Sequence, residues 1–215
     1  MKLYAHPFSS YCHKALIALY EADTLFEYRH LEHEGVMDEL TALWPLKLFP
    51  VLVDEGRTVM EATAIIEHLA VHHPGPTRLI PTDPAAAVEV RMMDRIFDNH
   101  VMTPQGRIVF NAMRPEPDRD PTGVVQQRAA LDRIYVWLND RMADREWATD
   151  HGFTLADCAA APSLFYADWT HRIPEDMAHL HAYRARLLAR PSFARCIEEA
   201  RPYRNYFPLG APDRD

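Results

Sequence analysis

Residues 2–31 read KLYAHPFSSYCHKALIALYEADTLFEYRHL, and two structural periods alternate within them. Lys2–Ala5 is a short strand candidate whose end is marked by His6-Pro7. Ser9 or Ser10 can then cap a helix, because a side-chain oxygen accepts from a free N–H of a first helical turn. Tyr11–Ala22 carries Ala15, Leu16, Leu19 and Tyr20 at helical spacing, with no Gly or Pro inside. Phe26–Leu31 returns to strand-like alternation. A right-handed crossover through the helix makes the two strands a parallel pair.

Outward from this unit, Met37–Leu43 reads as a short helix that ends before Trp44-Pro45. Pro50–Asp54 reads as a strand, Glu55-Gly56 as a turn and Thr58–Met60 as the antiparallel return. Glu61–His72 comes next as a helix with Ile65, Ile66 and Leu69 on one face. The order β-α-β-α-β-β-α, with helices on both faces of a four-stranded sheet, predicts a thioredoxin-like α/β domain over residues 1–76. A ferredoxin-like domain would need a different order.

The stretch HPGPTRLIPTDP (73–84) holds four prolines and reads as an ordered joint, with 77–84 as the linker. Beyond it the strand signal vanishes, and residues 85–215 are expected to be all-helical. The helices expected there are Ala85–Phe110 (bent near Pro104), Val124–Ala143, Thr154–Tyr166, Met177–Arg190 and Ser192–Ala200. A Pro-rich tail, Pro202–Asp215, is expected to lie over the surface.

Composition excludes several function classes. The 31 acidic and 23 basic residues give a net charge of −8, which argues against a nucleic-acid or anionic-membrane surface. Seven glycines stand at 35, 56, 75, 106, 123, 152 and 210, so motifs needing paired glycines (GxGxxG, the P-loop, the GxSxG elbow) are absent. Three scattered cysteines make no disulfide framework. His6-Pro7 interrupts any apolar leader, and no run approaches the ~18 apolar residues of a membrane span. A reducing, cytoplasmic setting is expected.

Four local features carry chemistry. Ser9-Ser10-Tyr11-Cys12 sits at the turn from strand to helix, where free N–H groups and the helix dipole stabilise a nearby thiolate. Lowering a thiol by two units from about 8.5 makes most of it thiolate at neutral pH, a change worth about 2.7 kcal/mol. A serine hydroxyl is suited to hold such a sulfur, and it is equally an ordinary N-cap. Phe49-Pro50 opens a strand, where a cis bond would expose the Phe49 main chain. Glu61-Ala62-Thr63 begins a helix, so its carboxylate and free N–H groups suit an α-amino acid head group. Thr154-Leu155-Ala156-Asp157 is a capping box and a stability feature.

Together, SSYCHKALIALYEA, WPLKLFPVLVDEG, VMEATAIIEHLA and FTLADCAAAP resemble the glutathione transferase superfamily, over nearly the whole chain. The resemblance implies a serine-type, bacterial-like cytosolic member: a detoxifying homodimer with glutathione as co-substrate, an electrophilic small molecule as partner and no metal. It implies Ser9 as the catalytic hydroxyl on the glutathione sulfur. It further implies Phe49, Pro50, Glu61 and Ala62, with Thr63, as glutathione-binding residues. His100, Arg107 and Tyr166 are implied for the second-substrate pocket.

Three positions depart from the family pattern. Ala62 stands where Ser is usual, Lys47-Leu48 replaces Gly-Lys/Gln, and Ala5-His6 stands where tyrosine-type members carry their Tyr. Ala62 and Leu48 motivate one alternative, a catalytically idle binding module. Cys12 motivates another, a glutathione-dependent thiol reductase, although its place in the motif fits a buried helix residue better. The 12 histidines, including His72-His73 and His179-x-His181, show no zinc-site spacing. The stripe Ile96, Phe97, Met102 and Met113 is expected to be core or dimer surface.

Overall fold

Strand β1 (Lys2–Ala5) is followed by α1 (Ser10–Glu21), β2 (Glu27–His30), α2 (Val36–Leu43), β3 (Val51–Asp54), β4 (Arg57–Met60) and α3 (Ala62–His72). This computed structural model describes residues 1–215. The sheet order is β2-β1-β3-β4, with β1 parallel to β2 and antiparallel to β3, as the α/β reading requires. Asp54 pairs with Arg57 across a two-residue hairpin in which Glu55 (φ 47°) and Gly56 (φ 81°) both take positive φ. Positive φ at both central positions matches the strand twist, and glycine adopts it without a steric penalty.

One face of the sheet packs on α1 and α3 within a large cluster that includes Leu3, Leu16, Leu52 and Ile65. The other face packs on α2 through Tyr4, Leu31, Val36, Leu40 and Val51. Every residue from Cys12 to Leu19 is buried, His13 and Lys14 included, because α1 is covered by α3 and by the helices Leu155–Thr170 and Pro191–Ala200 of the second half.

The second half is helical: α4 (Pro84–Ile96), a π-helical stretch (Phe97–Met102), α5 (Thr103–Ala112), α6 (Pro121–Arg141), α7 (Leu155–Thr170), α8 (Ala178–Ala189), α9 (Pro191–Ala200) and a 3-10 turn (Arg201–Tyr206). The long helix expected over 85–110 thus changes pitch before Pro104 instead of simply bending. Pro104 has no N–H and crowds the carbonyl four residues back, so the preceding turn widens. The Thr103 N–H accordingly reaches the Asp98 carbonyl, five residues back. The widened turn rotates the apolar stripe beyond it. Helix α6 begins three residues earlier than expected, because Asp120 caps it and Pro121 takes the first helical position.

Helix α7 is buried along its whole length. The capping box at its start does more than cap. Asp157 accepts from the N–H of Thr154 (2.9 Å), the N–H of Ala148 (2.9 Å) and the Tyr183 hydroxyl (2.7 Å), so one carboxylate ties the 148–154 loop and α8 to α7.

The two halves share the large cluster, which runs from Leu3 to Phe207. Gly75 lets the joint pass against α1: a Cβ there would stand 2.2 Å from the Ala22 Cα. A polar clasp reinforces the contact. Glu21 accepts from Arg190 Nε and Nη2 (2.8 and 2.6 Å), Ser192 Oγ (2.6 Å) and Thr77 Oγ1 (2.7 Å). Burial raises the Glu21 carboxyl, but the donors of Arg190, Ser192 and Thr77 outweigh it and hold it below its ordinary value.

A carboxyl depressed in the fold stabilises above its unfolded pKa of about 4.3 and loses that contribution as pH falls through the folded value. The stability gap between wild type and Glu21→Gln, read by urea unfolding, should therefore narrow below about pH 4. A gap independent of pH would contradict the clasp.

Candidate active site

Two cavities meet at the C-terminal end of β1. The smaller, about 250 Å³, is lined by Tyr11, Trp44, Leu48, Phe49, Pro50, Glu61, Ala62, Arg95, Asp98 and Asn99. The larger, about 640 Å³, has Ser9 and Ser10 at one side and Phe8, Met102, Val109, Phe110, Met113 and Phe207 among its apolar lining. Tyr11, Leu48 and Phe49 line both.

Ser9 occupies the N-cap of α1 in an extended conformation (φ −123°, ψ 123°), and its Oγ accepts from the Cys12 N–H at 3.4 Å. That bond uses an oxygen lone pair and leaves the O–H free to donate. Two histidines fix the turn that carries Ser9. The Phe8 N–H donates to His6 Nδ1 at 3.0 Å, and His13 Nε2 lies 2.6 Å from the Pro7 carbonyl. Burial pulls the His13 imidazole down to about 4. The ring is therefore neutral near pH 7, and Nε2 carries the proton given to Pro7. The Tyr11 hydroxyl is pushed up to about 12, by burial first and then by the Asp98 charge, so it stays a donor. Cys12 is fully buried, and burial pushes its thiol up to about 12.

The Phe49–Pro50 peptide is cis. Glu61 has φ 68° and ψ 124°, a conformation that a non-glycine residue adopts at a cost of order 1–3 kcal/mol. It stands just before α3, beside N–H groups of the first turn that lack intrahelical acceptors.

The Thr63 hydroxyl does not line the cavity. It accepts from Lys14 Nζ (2.8 Å) and Arg95 Nη2 (2.5 Å) and donates to Asp94 Oδ2 (3.0 Å). Lys14 Nζ, 1% exposed, also meets Asp94 Oδ1 (2.5 Å) and Asp98 Oδ2 (2.7 Å). A five-residue polar knot, with Lys14, Asp94 and Asp98 buried and Arg95 half in water, therefore sets the first turn of α3 against α1 and α4. Its outer members Arg95 and Asp98 form part of the cavity wall opposite Glu61.

Arg107 and Tyr166, expected at a second-substrate pocket, both line the larger cavity, whereas His100 is exposed and lines neither. Of the apolar stripe, Phe97 is buried in the core as expected and Ile96 packs against it, whereas buried Met102 and exposed Met113 both also line the larger cavity. Tyr166 is 4% exposed and its hydroxyl has no partner. The tail lies over the surface as expected, except at Phe207, which is buried. Tyr206, Phe207 and Pro208 wall the larger cavity, and Phe207 packs on Trp169 with ring centroids 5.4 Å apart.

Residues 3–77 match the model of the glutathione S-transferase N-terminal domain, and residues 86–186 match that of the C-terminal domain. The chain belongs to the glutathione S-transferase superfamily.

Within the superfamily it is 29% identical to a probable maleylacetoacetate isomerase of Vibrio cholerae, over 93% of this chain and 96% of the other. It is 25% identical to a stringent starvation protein A homolog of Coxiella burnetii, over 93% and 92%. A Methylobacterium radiotolerans glutathione S-transferase, solved in complex with glutathione sulfonate, superposes with a TM-score of 0.77 at 27% identity, over 91% of this chain and 93% of that one. Superfamily members bind glutathione, and glutathione-dependent transfer is the chemistry that membership supports.

The sequence singled out Ser9, Phe49, Pro50, Glu61 and Ala62, and the fold gathers them at the two joined cavities. It gave no role to His6, Tyr11, His13, Lys14, Arg95 or Asp98. A basic residue inside the apolar run of α1 is a signal that could have flagged Lys14, because a buried lysine needs partners.

Proposed function

We propose that this protein is a glutathione transferase that ionises the glutathione thiol at Ser9 and directs it at an electrophilic small molecule in the larger cavity. The observation that carries this reading is the junction: a polar cavity and an apolar one share Tyr11, Leu48 and Phe49, with Ser9 beside the shared wall. Glu61 and the first turn of α3 would hold the γ-glutamyl ammonium and carboxylate, with Ala62 contributing its N–H alone. The main chain of Phe49, next to cis Pro50, would pair with the cysteinyl unit. The sulfur then faces Ser9 Oγ and the α1 N-terminus, which favour its anionic form.

The thiolate attacks the electrophilic carbon and the leaving group departs with its electron pair. No covalent enzyme intermediate is required, so positioning and thiol activation are the enzyme's contributions. Arg107 and Tyr166 would orient the electrophile, a detoxifying substrate class. By the same resemblance the protein would work as a cytoplasmic homodimer. The exposed Val88 and Met92 of α4 support that assembly, which sedimentation velocity reads directly.

The purified protein should add glutathione to a reactive haloarene faster than buffer does. A rate equal to the uncatalysed one, together with no heat of glutathione binding, would contradict the proposal.

The likeness to a stringent starvation protein A homolog favours one second reading, a binding module that has lost catalysis. Detectable glutathione binding without haloarene turnover would support that reading. The Cys12 reductase reading has less support, since its thiol is fully buried and held protonated near neutral pH. Cys12→Ala should keep transferase activity within about twofold of wild type, because a buried thiol of such high pKa is chemically inert. A tenfold or greater loss, with folding intact by circular dichroism, would return Cys12 to the mechanism.

A further inference from the structure

Asp54 ends β3 with its side chain 7% exposed, and its ion-pair partners are imidazoles. His68 Nε2 of α3 lies 2.8 Å from Asp54 Oδ2, and His73 Nε2, from the residue that caps α3, lies 2.6 Å from the same oxygen. The three ligand-type atoms fall within 4.8 Å of one another. They come from both ends of the β3–β4–α3 unit, so sequence spacing gives no hint of them. His68 is 10% exposed and His73 30%, which closes the cluster on one side and opens it on the other.

A buried carboxylate is usually neutralised by a lysine, an arginine or a metal ion. Here two aimed imidazoles stand in that place. Two imidazole nitrogens and one carboxylate oxygen are a Zn²⁺ donor set that leaves a fourth position for water.

We infer that Asp54, His68 and His73 bind a divalent transition-metal ion of the Zn²⁺ class, which clips the β3–β4 hairpin to the C-terminal end of α3. Ligand bonds of about 2.0–2.2 Å in a tetrahedron put ligand atoms about 3.3–3.5 Å apart. The present 2.6–2.8 Å separations therefore need to open by less than about 1 Å, within reach of side-chain rotation. Each imidazole would bind through an Nε2 lone pair with its proton on Nδ1. A second cluster, His6, His30 and Glu32, is less suited. Its His30 Nε2 is held by the Tyr203 hydroxyl at 2.9 Å, and Glu32 is largely open to water.

The site is independent of glutathione chemistry and is tested apart from it. Chelator-stripped full-length protein is titrated with Zn²⁺ against a chromophoric chelator, and thermal unfolding is followed with and without Zn²⁺. Wild type should take up about one tight equivalent, as a single three-ligand site requires, and unfold at a higher temperature with the metal. The double variant His68→Gln/His73→Gln should lose that equivalent and the thermal shift, with affinity falling about tenfold or more. His73→Gln alone, at the more open ligand, should weaken uptake in a fold verified by circular dichroism. His30→Gln should bind as wild type does. Absence of tight uptake by wild type, or uptake unchanged in both His73 variants, would overturn the assignment.

Discussion

Replacing Lys14 with Met is expected to lower folding stability by about 3–5 kcal/mol, the cost of leaving buried charges unpaired. The Lys14 ammonium is the buried cation between Asp94 and Asp98, and both carboxylates stay in place when it is removed. Arg95 touches the same two carboxylates, but its side chain is half in water and approaches them from the cavity side. It can offset part of the loss and cannot fill the space that Lys14 occupies. The Thr63 hydroxyl would lose a donor at the same time, which frees the first turn of α3 beside Glu61. Glutathione affinity should therefore fall together with stability. Urea unfolding and isothermal titration calorimetry read the two effects. A stability loss under about 1 kcal/mol would mean that the knot is more hydrated than its burial indicates.

Ser9→Ala is expected to lower kcat/KM for glutathione addition by about tenfold to a hundredfold, because a hydrogen bond to a charged group is worth about 1.5–3 kcal/mol. The same change removes the acceptor of the Cys12 N–H. A lost cap of this kind costs about 1 kcal/mol of stability, and His13 and His6 still hold the turn. Activity should thus fall far more than stability does. Ser9→Thr keeps a hydroxyl at the cap and should recover part of the rate, whereas Ser10→Ala, one residue into the helix, should cost less. Equal losses for Ser9→Ala and Ser10→Ala would move the assignment from one hydroxyl to the helix terminus as a whole.

The parts of the fold that were legible in the sequence are those set by local rules. His6-Pro7 marked the end of β1, alternation marked β2, Glu55-Gly56 marked the hairpin, and Thr154 to Asp157 marked the start of α7. The positions of Ser9, Phe49, Pro50 and Glu61 were legible through motif order. What escaped depends on contacts far apart in sequence. Lys14 acquires its partners only when α3 and α4 pack against α1. The π-helical stretch at Phe97–Met102 departs from the ~3.6-residue period assumed for a continuous helix, and within it His100 is exposed while Met102 lines the larger cavity. Phe207 could not be placed from a Pro-rich tail without the Trp169 surface on which it packs. Asp54, His68 and His73 converge only because the hairpin and α3 fold onto each other.

Whether Ser9 activates the thiol is read from the ionisation of glutathione while it is bound. The thiolate absorbs in the ultraviolet where the thiol does not, so difference spectra across a pH series give the pKa of the bound sulfur. For wild type the expected value is about two units below the ordinary thiol value of about 8.5, with a return most of the way toward that value in Ser9→Ala. A bound thiol that titrates at the same pH in both proteins would contradict the role assigned to Ser9.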